Sequence, residues 1–306
     1  MRKKDWLFAL LTVAALALAF PPLIDLLRNT RTSEYYSHIT LIPVVSAYLI
    51  FRRRREMFRG TASVHPWGIL TAVAGIGLHV AGRIFGGEVD IQASLTTLGG
   101  LLFWCGAYLV LYGKNCSRRA FFPIAFLLFA VPIPVLIIEK VIAVLVVGSA
   151  YMTRLLFVAF GVPFVQDGPV FYLPGFFIEV AQECSGIRSS LALFITTVLA
   201  GHIFLRKLGN KALLALAVLP VALFKNAIRI VTLYLLSYFV DMRIIMGGFL
   251  HRSGGFIFFG LGLFVLGSLL WLLREGENRR FGAKGVRQVL NDKKINKIDM
   301  GGVITQ

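Results

Sequence analysis

Three side chains far apart in the chain together have the chemistry of acyl transfer. Cys184 stands in Ala181-Gln182-Glu183-Cys184-Ser185-Gly186-Ile187-Arg188-Ser189, where an apolar run ends and a long apolar helix begins at about Ser189. A cysteine on the first turn of a helix meets free backbone N–H groups and the positive end of the dipole. Both favour a thiolate. Arg229 stands in Asn226-Ala227-Ile228-Arg229-Ile230, and His251 in His251-Arg252-Ser253-Gly254-Gly255. A guanidinium can stabilise a thiolate or an oxyanion, and an imidazole titrates where general acid–base work is done. Arg188 is placed to neutralise Glu183 or to hold the Cys184 loop.

The elements that must position these residues are membrane helices. The chain has 306 residues, 57% of them hydrophobic, and a mean hydropathy of +0.77. Its apolar runs of about 20 residues suit a bilayer, not a soluble core. The fold class expected is an all-α integral membrane protein, a polytopic bundle of about eight transmembrane helices with a short extracytoplasmic β-hairpin. The net charge of +17 does not point to nucleic acid. Arg and Lys cluster at the ends of apolar spans and in the C-terminal tail, as the positive-inside rule expects. Cys105, Cys116 and Cys184 are widely spaced and odd in number, so they give neither a disulfide framework nor a metal site. No metal and no organic cofactor is indicated.

In order, spans are expected at about 6–23, 39–51, 67–82, 91–112, 121–131, 189–205, 212–238 and 254–273. The first resembles a secretory signal but is read as an uncleaved span. Arg52-Arg53-Arg54-Arg55 stops the second. Val131-Pro132-Ile133-Pro134 ends or bends the fifth, because closely spaced prolines break a helix. The stretch 139–160 carries Glu139, Lys140 and Arg154 and reads as an interfacial or re-entrant helix. Residues 170–180 read as a β-hairpin, with Pro174-Gly175 at the centre of a type II turn. That hairpin offers an edge for strand addition by an extended peptide. Gly75, Gly77, Gly99 and Gly100 are expected to let helices pack closely. Residues 1–273 form one domain in this reading, and 274–306 a basic cytoplasmic tail without fixed structure.

With both termini in the cytoplasm, the basic segments 52–59, 113–119, 206–211 and 274 onward all fall inside. The loops at 25–38, 83–90, 139–183 and 239–252 fall outside. Cys184 then lies at the outer end of one span and His251 at the outer start of another. Arg229 follows Lys211 by 18 residues, roughly 27 Å of helix and about one hydrocarbon thickness. The three residues therefore share one depth. Of the histidines, only His38 and His251 can approach Cys184.

The three segments, in this order, resemble the signature segments of the exosortase/archaeosortase family. Tyr36-Ser37-His38 before a proline-containing span and Val131-Pro132-Ile133-Pro134 are also similar to that family. The resemblance covers roughly residues 20–272. One departure is Leu250, where the family usually has an aromatic residue before the histidine; this alters packing around His251 but not its chemistry. The resemblance implies a membrane cysteine transpeptidase or protease of the plasma (inner) membrane. Cys184 would be its nucleophile, with Arg229 and His251 as partners and Glu183, Arg188, Asn226 and Ser185 in support. The implied partners are exported proteins ending in a sorting motif, a transmembrane helix and a basic cluster. Readings from other classes are a transporter, which the charged Lys225 within a span would fit, and an envelope-assembly transferase. The second would need outward acidic or histidine pairs, for which Glu179, Glu183 and His38 are the only candidates.

Overall fold

The computed structural model describes residues 3–28, 36, 38–58, 66–180, 186–239 and 255–279. They fall into two compact units, residues 1–144 and 145–306.

The first unit holds helices α1 (Lys3–Arg28), α2 (Leu41–Met57), α3 (Pro66–Phe85) and α4 (Val89–Phe126), a 3-10 turn at Leu127–Ala130, and the start of α5 (Val135–Ala159). Its main contact is glycine-mediated. Gly68, Gly75 and Gly82 recur every seven residues on α3 and meet the stretch of α4 from Leu95 to Val110. A Cβ on Gly75 would lie 2.4 Å from the Phe103 amide nitrogen, and one on Gly99 would lie 2.6 Å from that of His79. The backbones touch, the packing expected where lipid gives helices no hydrophobic reason to associate. Gly100 makes only ordinary contacts and Gly77 meets nothing within 4 Å, so Gly77 does not serve the packing expected of it. α4 breaks at Gly113, whose φ of 78° suits glycine. At one end of the bundle, Phe8, Phe58, Tyr108 and Tyr112 form a cluster of tilted and edge-on rings.

The double-proline break is fixed from three sides. Tyr36 Oη donates to the Ile133 carbonyl at 2.7 Å. Ser94 Oγ reaches the Pro132 carbonyl at 2.8 Å. The Asp90 carboxylate accepts the Val135 amide at 2.7 Å. That last bond supplies an anion to the first turn of α5, where amides lack partners. A segment that proline robs of helical hydrogen bonds thus finds its partners elsewhere.

The second unit holds the rest of α5, strands β1 (Val165–Asp167), β2 (Val170–Leu173) and β3 (Phe176–Glu179), and helices α6 (Ile187–Phe204), α7 (Leu208–Leu216), α8 (Val218–Phe239) and α9 (Gly255–Arg279). The hairpin is present, with Gly175 at φ 92° in its turn. β1 adds a third antiparallel strand that the sequence did not announce, in the order β1-β2-β3. Phe171, fully buried, rests edge-on against Phe157 of α5, which rests in turn on Tyr234 of α8.

Among the described residues, seven helical segments are long and apolar enough to cross a membrane, and the chain is a polytopic helical membrane protein. Three expectations shift: the second span, expected at 39–51, is α2, a 17-residue helix that takes in Arg52–Arg55 and is not among the seven. α5 is a 25-residue apolar helix of crossing length rather than a short interfacial one. Glu139, Lys140 and Arg154 are exposed near its ends, where charged side chains can reach a headgroup layer. The expected fifth span is an 11-residue helix, Ala120–Ala130. α9 also runs past 273 to Arg279. Its Glu277 is buried and accepts the amides of Arg206 and Lys207 and the side chain of Asn210, at 2.8 to 2.9 Å. These groups lie at the α6–α7 turn, so α9 is tied to it. The tail expectation beyond that point lies outside the described residues.

Candidate active site

Glu183, Cys184, Ser185 and His251 lie outside the described residues. What surrounds the cysteine segment is described on both sides, and both sides rest on α8. Before the segment, Val180 is buried with Ile230, Val231 and Tyr234. Its amide donates to the Pro169 carbonyl at 3.0 Å, which closes the sheet. After the segment, Gly186 lies beside Lys225 and Asn226: a Cβ there would be 3.4 Å from Asn226 Oδ1 and 3.7 Å from Lys225 Nζ. Of the two residues flanking 181–185, Val180 thus shares a cluster with residues of α8 and Gly186 lies beside Lys225 and Asn226 of the same helix. Arg229, half-buried, stands between Asn226 and Ile230 on that helix.

The local sequence explains the second anchor. Gly186 has φ 70° and caps α6, a left-handed conformation that other residues adopt at a cost of roughly 1 kcal/mol or more. α6 begins at Ile187, so Cys184 precedes the cap instead of sitting on the first turn. Two residues of chain reach at most about 7 Å, which bounds the distance from Gly186 Cα to Cys184 Cα. No side chain caps the first-turn amides of α6.

α8 brings three polar residues to this level. Asn226, 2% exposed, donates to Ser149 Oγ of α5 at 3.0 Å. Lys225, 4% exposed, donates to Ser189 Oγ, which donates to the Gly186 carbonyl at 2.9 Å. Arg229 lies one turn further along, on the same side of the helix. α9 closes over Lys225: a Cβ on Gly262 would be 3.5 Å from Lys225 Cδ and 2.9 Å from Leu193. The lysine stem also lines an apolar cleft of about 240 Å³ between α8 and α9, with Phe224, Ile228 and Val265. A buried lysine within such a span is costly, so its presence calls for a use.

Of the residues chosen from sequence, Asn226 and Arg229 come together beside the anchors of the cysteine segment. Arg188, exposed on the first turn of α6, faces less enclosed surroundings. Ser149 and Ser189 were missed. The usable signal was Ser189 at three positions after a glycine that caps a helix. Lys225 was noticed, but as a mark of transport. Among the described residues no cluster of His, Cys, Asp and Glu could hold a metal ion.

The family model for transmembrane exosortases (Exosortase_EpsH) matches residues 27–268. No curated protein and no solved structure matches the chain. The family match takes in the Tyr36 clamp, the sheet, the cysteine segment and the polar face of α8, and extends well into α9. On that coverage, the chain belongs to the transmembrane exosortase family.

Proposed function

We propose that the protein is a cysteine peptidase or transpeptidase of the plasma (inner) membrane. It cleaves the C-terminal sorting signal of exported proteins at the outer membrane–water interface. The observation that carries this reading is that the described residues flanking the Cys184 segment, Val180 and Gly186, are grouped with α8, the helix that bears Asn226 and Arg229. The clustering of basic segments at 52–59, 206–211 and beyond 274 supports an extracytoplasmic site with both termini inside.

In the reaction, the Cys184 thiolate attacks the scissile carbonyl carbon and forms a tetrahedral oxyanion, which the Arg229 guanidinium stabilises. The C–N bond breaks as His251 gives a proton to the leaving amine, and a thioester remains. An incoming amine or water then loses its proton to His251 as it attacks. The C–S bond breaks and the thiolate returns. An amine gives transpeptidation and water gives proteolysis. Glu183 orients Arg188, Asn226 fixes α8 against α5, and Ser185 shapes the turn after the thiol.

The test is co-expression with a protein ending in an apolar helix and a basic cluster. Cys184→Ala is expected to abolish the change in its size and its release from the membrane. Arg229→Ala is expected to slow processing by about 10² to 10³, as loss of one oxyanion donor does. Unchanged processing in a stable Cys184→Ala protein would sink the reading. A transporter is the second reading, favoured by Lys225, buried in a span without a carboxylate partner among the described residues. It requires no reactive thiol at Cys184.

A further inference from the structure

We infer that the outward face of the three-stranded sheet is a lipid-docking surface. It rests in the headgroup layer of the membrane, with an aromatic row toward the acyl boundary and two acids toward headgroup ammonium groups. The inference stands independently of the peptidase reading.

The register of the sheet supplies the surface. Val165 pairs with Tyr172, and Tyr172 with Phe177, so the three side chains form one row across all three strands. Each is more than half exposed, and the rings of Tyr172 and Phe177 lie 6.4 Å apart. The opposite face is spent on packing: Phe171 is fully buried and Ile178 rests on the same cluster. About 7 Å along the strands, Asp167, Val170 and Glu179 form the next row of the outward face. Asp167 and Glu179 are exposed. The face is therefore apolar toward the Pro174-Gly175 turn and acidic toward the Gly168 turn.

Helix length supplies the depth. The sheet does not stand beyond the spans but beside them: Phe171 packs on Phe157 of α5, and Phe157 on Tyr234 of α8. Tyr234 follows Lys211 by 23 residues, roughly 34 Å of helix. With Lys211 at one edge of the hydrocarbon, about 30 Å thick, Tyr234 falls in the headgroup layer of the other side. Tyr238 and Phe239, at the end of α8, are also exposed. The aromatic row thus continues the lipid-facing surface of a span, at the level where aromatic rings settle.

Charge selects the headgroup. Residues 160–180 carry Asp167, Glu179 and no basic residue, in a chain of net charge +17. An anionic lipid surface repels such a face, whereas the ammonium of a zwitterionic headgroup is attracted by carboxylates and by aromatic rings. Strand addition by a peptide would use the backbone edges of the sheet and leave this face as it is.

The experiment uses the full chain with Cys105→Ala, Cys116→Ala and Cys184→Ala, in vesicles of phosphatidylethanolamine and phosphatidylcholine. A nitroxide is attached at Phe177→Cys or at Asp167→Cys. Its collisions with oxygen, which dissolves among acyl chains, are compared with those of a neutral nickel chelate, which stays in water. The Phe177 label is expected to favour oxygen, at a depth of about 5 Å below the phosphates, within the reach of interfacial elements. The Asp167 label is expected to favour nickel. Replacing half the lipid by phosphatidylglycerol should move the Phe177 label outward, and Asp167→Asn with Glu179→Gln should cancel that movement. A Phe177 label that nickel reaches as freely as it reaches the Asp167 label overturns the inference, since the face then lies in water. A label shielded from both reagents overturns it too, because a peptide or a second copy then covers the face. A depth unmoved by phosphatidylglycerol overturns the part given to the acids. If Phe177→Cys does not fold, the label at Tyr172→Cys decides in the same way.

Discussion

Asn226 of α8 donates to the hydroxyl of Ser149 on α5 across 3.0 Å, and both side chains are almost wholly buried. The bond joins the helix that carries Arg229 to the helix on which the sheet rests. It also lies one turn from Arg229 and beside Gly186. Asn226→Ala is expected to destabilise the protein by about 1 kcal/mol, since interhelical hydrogen bonds in membranes are modest and Ser149 is left unpartnered. Processing should fall more than stability does. A double-mutant cycle with Ser149→Ala separates the two: a coupling near zero would show that Asn226 works without Ser149.

The clamp on the double-proline break offers a second test, remote from the thiol. Tyr36→Phe removes one hydroxyl at a site 1% exposed and strands the Ile133 carbonyl. A loss of about 1 to 2 kcal/mol is expected in a denaturation titration, with no change in alkylation of Cys184. Asp90→Asn should cost a similar amount, because it weakens an anion at the start of α5.

The glycine contact between α3 and α4 should tolerate nothing larger. Gly75→Leu forces two backbones apart and is expected to cost about 3 kcal/mol or to prevent accumulation in the membrane. Gly77→Leu, two residues along the same helix, should be neutral within about 0.5 kcal/mol. Comparing expression and thermal denaturation of the two variants checks both.

Orientation is open to direct measurement. Alkaline phosphatase fused after Phe164 is expected to be active, and the same enzyme fused after Lys207 or Arg279 inactive. Fluorescent-protein fusions should give the reverse pattern. Phosphatase activity after Arg279 would place the C-terminal end of α9 outside and overturn the two-ends-inside topology. Because α5 has crossing length, this measurement bears on the side of the thiol more than any residue count.

Local rules carried far in this chain where backbone chemistry decides. The helix break at Val131–Pro134 follows from proline, and the turn at Pro174-Gly175 from the positive φ that glycine permits. Gly75 and Gly99 were legible as contact glycines, whereas Gly77 was not separable from them by composition. It falls on the order of 200° around the helix from Gly75. α5 was misjudged because charge was counted without asking where along the helix it fell. Three exposed charges near the ends of a long apolar stretch do not keep it out of a bilayer. The partners of Lys225 and Asn226 were not legible for a different reason. Ser189 and Ser149 are 36 and 77 positions away, and no periodicity announces which hydroxyl will face which helix.

The carboxylate of Glu277 has a consequence at the far end of its helix. α9 is a rod of 25 residues, about 37 Å long. One end is moored by three hydrogen bonds to the α6–α7 turn, and the other leads back four residues to His251. A rigid rod moored at one end sets the register of whatever it carries at the other. The height of Gly255, at the far end of the rod, is thus set by an acid 22 residues further along the chain.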